Sequence, residues 1–215
     1  MGLSEQQCAL ARLLTDADLR ARFATDLNEV ERELALSPDD TTQLSALVMP
    51  DVERSARSLH AKRWNEVEKR LPLSACAAHQ RHLPLRREFL QFAQTYVPQG
   101  SKRHAQDAIA FADWCAQRPA GQFSEAESPV AAPAWLPDLM RYEAAWLSVA
   151  LETRPRFVVL RRFGFPIHRI ARAIAQSPRE PLASNVVSAR FSLAVWSRLS
   201  ADGMTRHLVL PGRQD

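Results

Sequence analysis

The segment CAAHQRHLP places Cys76, His79 and His82 close together, and one soft sulfur with two ring nitrogens at that spacing could begin a zinc site. No fourth ligand with recognisable spacing accompanies them. Scattered cysteines more often act as small buried apolar residues, so no metal ligands are assigned. His168, just after Pro166 at an expected strand–helix junction, reads as a packing or capping residue. The chain has no GxSxG elbow and no glycine-rich phosphate loop, with six glycines in all, so no catalytic residue is assigned. What remains is arginine chemistry. Residues 154–215 hold eleven Arg, no Lys and three acidic residues, a net of +8, whereas residues 1–153 hold 17 basic against 21 acidic, a net of −4. Guanidinium groups form forked, charge-assisted bonds to carboxylates and phosphates. The candidate binding residues are Arg156, Arg161, Arg162, Arg169, Arg172, Arg190, Arg198 and Arg206.

The elements that must position these arginines are strands and one short helix. Arg190–Ser200 and Met204–Leu210 are apolar runs joined by Ala201-Asp202-Gly203, which reads as a β-hairpin with glycine at the left-handed position. Phe157–Leu160 is β-branched and aromatic enough for a further strand, and Ile167–Gln176 reads as a short helix. Side chains alternate along a strand, so Arg161 and Arg162 face opposite ways. Everything before this module has helical spacing. Helices are expected near 4–14, 16–24, 39–48, 51–70, 83–96, 102–116 and 134–151, with Leu27, Val30 and Leu34 continuing the pattern. Thr15 or Asp16 offers one cap, and Ser37-Pro38-Asp39-Asp40 is a second start signal. Pro72 is read as the end of the 51–70 helix. Along 51–71 an apolar seam is interrupted by Arg63, and Glu143 interrupts the apolar side of the last helix. The expected fold is α+β: a helical domain over 1–117, a proline-containing linker over 118–133, and 134–215 as a helix plus a strand-rich basic module.

At 215 residues the chain can bury a real core, and a net charge of +4 is too mild to argue for nucleic acid. Three dispersed cysteines support no disulfide framework and fit a reducing cytoplasm. No run reaches membrane-spanning length and no secretory leader is expected at the N-terminus. Gln6 stands where a myristoylation signal has Ser or Thr. A short helix followed by a basic hairpin could be a winged DNA-binding module, whose arginines would grip phosphates. With arginine dominating its polar side, however, the helix has little to read bases with. The same residues suit an extended acidic peptide, which a free strand edge takes by β-augmentation.

The run LLTDADLRARFATDLNEVERELALS, the helix RSLHAKRWNEVEKRLP from Arg57 to Pro72, and MRYEAAWLSVA from Met140 to Ala150 resemble partner proteins of multinuclear non-haem iron barrel enzymes. These are partners of the TglI and MbnC type, whose enzymes modify cysteines of ribosomally made peptides in 3-thiaglutamate and methanobactin biosynthesis. The resemblance touches most of the chain. It implies a helical N-terminal domain and a C-terminal module like a peptide-recognition element. It also implies a heterodimer with an iron-dependent TIM-barrel-like enzyme and a precursor peptide presented to that enzyme. Iron and dioxygen are expected in the partner, with no cofactor in this chain. Aromatic anchors dominate many interfaces, so Trp64, Trp135 and Trp146 are the candidate partner contacts. The arginine-rich tail departs from the pattern and keeps a DNA-binding or regulatory protein open as the alternative.

Overall fold

The computed structural model describes residues 3–98, 102–118, 132–152, 157–180, 182, 187–198 and 204–212. A run of helices is followed by a small three-stranded antiparallel sheet, an α+β fold. The chain divides into two compact units, Met1–Asn65 with Phe89–Val97, and Glu66–Glu88 with Pro98–Asp215.

The first unit holds α1 (Leu3–Thr15), α2 (Ala17–Thr25), α3 (Leu27–Leu34), α4 (Pro38–Ser45) and most of α5 (Met49–Arg70). Helices this short are marginal alone, and polar caps punctuate them. Asp16 accepts the Leu19 N–H at 2.9 Å and Asp26 accepts the Glu29 N–H at 3.1 Å. Ser37 and Asp40 form a reciprocal capping box with Pro38 in the first turn. Each such cap contributes about 1 kcal/mol. They frame a core of Ala9, Leu13, Leu19, Phe23, Val30 and Leu44. On α5, Arg63 is buried within the apolar seam because it donates to the Ala93 and Tyr96 carbonyls, at 3.4 and 2.8 Å. These oxygens lie at and just beyond the end of α7 (Leu85–Ala93), so the arginine caps a helix C-terminus. α7 stops three residues short of Tyr96, yet Phe92 and Tyr96 still stack at 4.8 Å.

The second unit contains a helix that the sequence reading leaves out. Pro72 starts α6 (Pro72–Gln80) as well as ending α5, since a missing N–H costs nothing in the first turn. α8 (Arg103–Gln117) lies along α9 (Leu136–Leu151), with Ala105, Ala108 and Ala112 buried. Then come β1 (Phe157–Phe163), α10 (Ile167–Gln176), β2 (Ser192–Arg198) and β3 (Arg206–Pro211). The sheet order is β1-β2-β3, with Val159 opposite Trp196 and Trp196 opposite His207. The expected hairpin is present as the β2–β3 pair. Its turn at 201–203 lies outside the described residues, as do Arg156 and most of the 118–133 linker.

Candidate functional site

Alternation gives the sheet two unlike faces. Val159, Phe163, Ala194 and Trp196 point inward and are buried. α9 lies against this part of the sheet, and α10, which buries Ile167, Ile170, Ala171 and Ile174, packs against α9. Two polar ties fix this layer. Asp138 on α9 accepts the Gly164 N–H at 2.7 Å, and the Ser192 hydroxyl donates to the Phe165 carbonyl at 2.7 Å. They pin the β1–α10 turn to α9 and to the start of β2.

The inward layer is aromatic. Trp196 lies 5.5 Å from Tyr142, 6.3 Å from Phe163 and 5.0 Å from His207, and Trp146 lies 5.1 Å from His207. Burial, and then the charge of His168 on α10, lower the pKa of His207. Burial likewise lowers that of His168. His168 Nδ1 and His207 Nε2 are both buried without a hydrogen-bond partner among the described residues. Tyr142 and Trp146 meet His207 only because strand order brings β3 beside α9, which periodicity along the helix cannot show.

Beside this layer, Glu143 is 6% exposed and accepts the Leu73 N–H at 2.8 Å, the Ser74 N–H at 2.9 Å and the Ser74 hydroxyl at 2.5 Å. It therefore caps α6 from another helix, where Leu71 offers no side-chain cap. Burial pushes its pKa up to about 7 against the opposing pull of those three bonds. Tyr142, Glu143, Trp146 and Ala171, with Pro72 and Leu73 at the start of α6, line an open cleft of about 330 Å³.

The candidate arginines do not form one patch. Arg169 and Arg172 lie exposed on the outer side of α10. Arg169 and Arg190 line a small cavity of about 50 Å³ with His168, Phe191, Pro211 and Gly212, beside the end of β3. Arg162 and Arg206 lie on the sheet's outward face, and the Arg162 guanidinium is 5.1 Å from the centre of the Phe191 ring. Arg161 is exposed and shares the parity of Val159 and Phe163, as alternation requires. Arg198 is half-buried and donates to the Glu152 carbonyl at 2.9 Å, tying the end of β2 to the end of α9. Of the three tryptophans, Trp64 and Trp135 are core residues, 6% and 2% exposed, because each sits on the apolar seam of its segment. Only Trp146 reaches a surface, at the open cleft.

Cys76 and His79 are turned to different neighbours. The Cys76 thiol donates to the Pro178 carbonyl at 3.2 Å, and His79 Nε2 lies 3.2 Å from Glu68. His82 takes a left-handed φ of 53° at the end of α6. Among the described residues, no group of three or more His, Cys, Asp or Glu side chains could hold a metal ion. No helix among them is long and apolar enough to cross a membrane. No protein-family model matches the sequence, and no curated protein matches it either.

Proposed function

We propose that this chain is the accessory, non-catalytic subunit of a cytoplasmic peptide-modifying complex. It binds the leader of a ribosomally made precursor peptide as an extended strand along the free edge of β3. It then presents the peptide's cysteine to an iron-dependent barrel enzyme, for chemistry of the kind that excises a cysteine β-carbon in 3-thiaglutamate biosynthesis. Iron and dioxygen are the partner's. Trp146 is the tryptophan available as a partner anchor.

The observation that carries this reading is the setting of β3. Among the described residues it is an edge strand whose one neighbour in the sheet is β2, so the backbone groups on its other side are available to an added strand. Alternate side chains of such a strand would pass over Trp146, His207 and His168, where two imidazole nitrogens have no partner among the described residues. Carboxylates would meet Arg169 and Arg190 near one end of β3 and Arg206 at the other. Tethering the leader raises the local concentration of the cysteine at a distant iron centre, so micromolar affinity suffices. The resemblance to partner proteins of iron enzymes supports the same reading.

One observation favours the DNA alternative. Arg169, Arg172 and Gln176 lie together on the exposed side of α10 and could reach phosphates. Against it, the described residues between β1 and β2 form one helix, whereas a helix-turn-helix uses two.

Fluorescence anisotropy with a labelled acidic leader peptide and with duplex DNA, each across a salt series, separates the readings. Reversing charge at Arg169 and Arg190 should weaken leader binding about tenfold. It should raise the apparent KM without changing the chemical step at saturation, because uniform binding is lost. Co-expression with the iron enzyme should give one co-eluting species. Tight duplex binding with no leader binding, even with the iron partner present, overturns the proposal.

A further inference from the structure

The outward face of the sheet is organised in rows by the strand register. Val158, Ser197 and Arg206 form one row, Leu160, Val195 and Leu208 the next, and Arg162, Leu193 and Leu210 the third. Phe191 and Gly212 extend it, joined by the Gly212 N–H bond to the Phe191 carbonyl at 3.0 Å. Among the described residues this face carries no carboxylate. Its aliphatic side chains are well exposed: Val158 58%, Leu160 55%, Leu208 58% and Leu210 46%, with Phe191 at 46%. Antiparallel strands with one wet face normally alternate apolar-in and polar-out, whereas these carry aliphatic residues on both sides, as strands covered twice do. A contiguous apolar patch of this kind on a soluble protein marks an interaction surface.

The dimensions and charges select the occupant. The outer strands lie about 10 Å apart and the rows span about 20 Å, which matches the 10–12 Å diameter of one α-helix over roughly three to four turns. Arg162 and Arg206 stand at opposite corners, four residues apart along the strands and two strand spacings across, a diagonal of about 16 Å. Neither meets a carboxylate among the described residues. A helix rises 1.5 Å per residue, so about 11 residues cover that diagonal, and positions i and i+11 return to the same side after about three turns. A second copy of the chain would bring four arginines together with nothing to pair them, which disfavours self-association.

We propose that this face docks an acidic amphipathic helix of a partner protein. That helix carries carboxylates at i and i+11 for Arg162 and Arg206, and aliphatic residues at i+4 and i+7 over Leu160, Val195 and Leu208. The face shares Arg206 with the proposed leader path, but its test reads a helical peptide and leaves Arg169 and Arg190 unchanged, so either proposal can fail alone.

The probe is a fluorescein-labelled, alanine-rich helical peptide of about 18 residues. It has Glu at i and i+11 and Leu at i+3, i+4, i+7 and i+8, and a twin carries Lys in place of both Glu. The full chain should bind the Glu peptide about tenfold more tightly than its twin. Arg162→Glu with Arg206→Glu should invert that preference, a rescue that misfolding cannot imitate. Leu160→Thr with Leu208→Thr keeps strand propensity and should weaken both peptides about tenfold with the thermal unfolding midpoint retained. Equal binding of the two peptides, or a preference that survives charge reversal, overturns the proposal. So does a dimer in light scattering that the Leu→Thr pair dissolves while no Glu peptide binds, which assigns the face to a second copy. Co-sedimentation with phosphatidylcholine–phosphatidylglycerol vesicles without Glu-peptide binding overturns it too, in favour of a lipid surface.

Discussion

Glu143→Gln isolates the carboxylate that caps α6 from α9. In the folded chain burial raises the Glu143 pKa from its ordinary 4.5 to about 7. The folded state therefore binds more protons than the unfolded state between those values, and stability falls as pH rises through that window. The interval corresponds to about 3 kcal/mol of stability, present in full below pH 4.5 and lost above pH 7. His60 tilts the other way over part of the same range. It is 4% exposed, and burial, then the charges of Arg63 and Arg20, lower its pKa from 6.5 to about 4. Wild-type stability alone therefore hides both slopes, and the variant must be compared with the wild type at each pH. Urea unfolding at pH 5 and pH 7.5, followed by tryptophan fluorescence, should show Glu143→Gln gaining about 2 kcal/mol relative to wild type between the two pH values. At pH 5 the variant should be close to wild type or slightly weaker, because the amide keeps one acceptor for Leu73 and Ser74. A difference between the two proteins that stays constant with pH would refute the reasoning, since the carboxylate would then be ionised throughout.

His60→Leu should remove the opposite slope: wild type should lose about 3 kcal/mol relative to the variant as pH falls from 6.5 to 4, measured by urea unfolding at the two ends. Gly212→Ala should destabilise the chain by about 1–3 kcal/mol, because an added Cβ would stand 2.6 Å from the Phe191 carbonyl oxygen and 2.7 Å from the edge of its ring. Adding Phe191→Ala should recover only part of that loss in thermal unfolding, as the backbone contact remains.

The fold was legible wherever one stretch of chain carried its own signal. Asp16 and the Ser37–Asp40 box start helices from local chemistry, and the β-branched and aromatic runs gave the strands. α6 was hidden because Pro72 reads equally as a stop and a start, and its cap comes from Glu143, about 70 positions away. Arg63 and Glu143 share a lesson. Each interrupts an apolar seam at the place where another helix ends, so the charged residue answers backbone groups that periodicity along its own helix cannot reveal. Trp64 and Trp135 read as interface anchors for the same reason: a large aromatic on a seam looks alike whether the seam faces the core or a partner.

The arginines were visible as a charge imbalance, but their grouping depends on register. Consecutive Arg161 and Arg162 part company, while Arg162 and Arg206, more than forty positions apart, come to frame one face. The apolar runs themselves hold a further hint. The strand sequences VVL in β1 and LVL in β3 do not alternate, and a strand wetted on one side gains nothing from aliphatic residues there. Among the described residues helices cover only the inward face, which explains Val159, not its neighbours Val158 and Leu160. Composition of this kind is what a sheet shows when its second face is covered in the working state, so a partner for that face follows from the strand sequences as well as from their exposure.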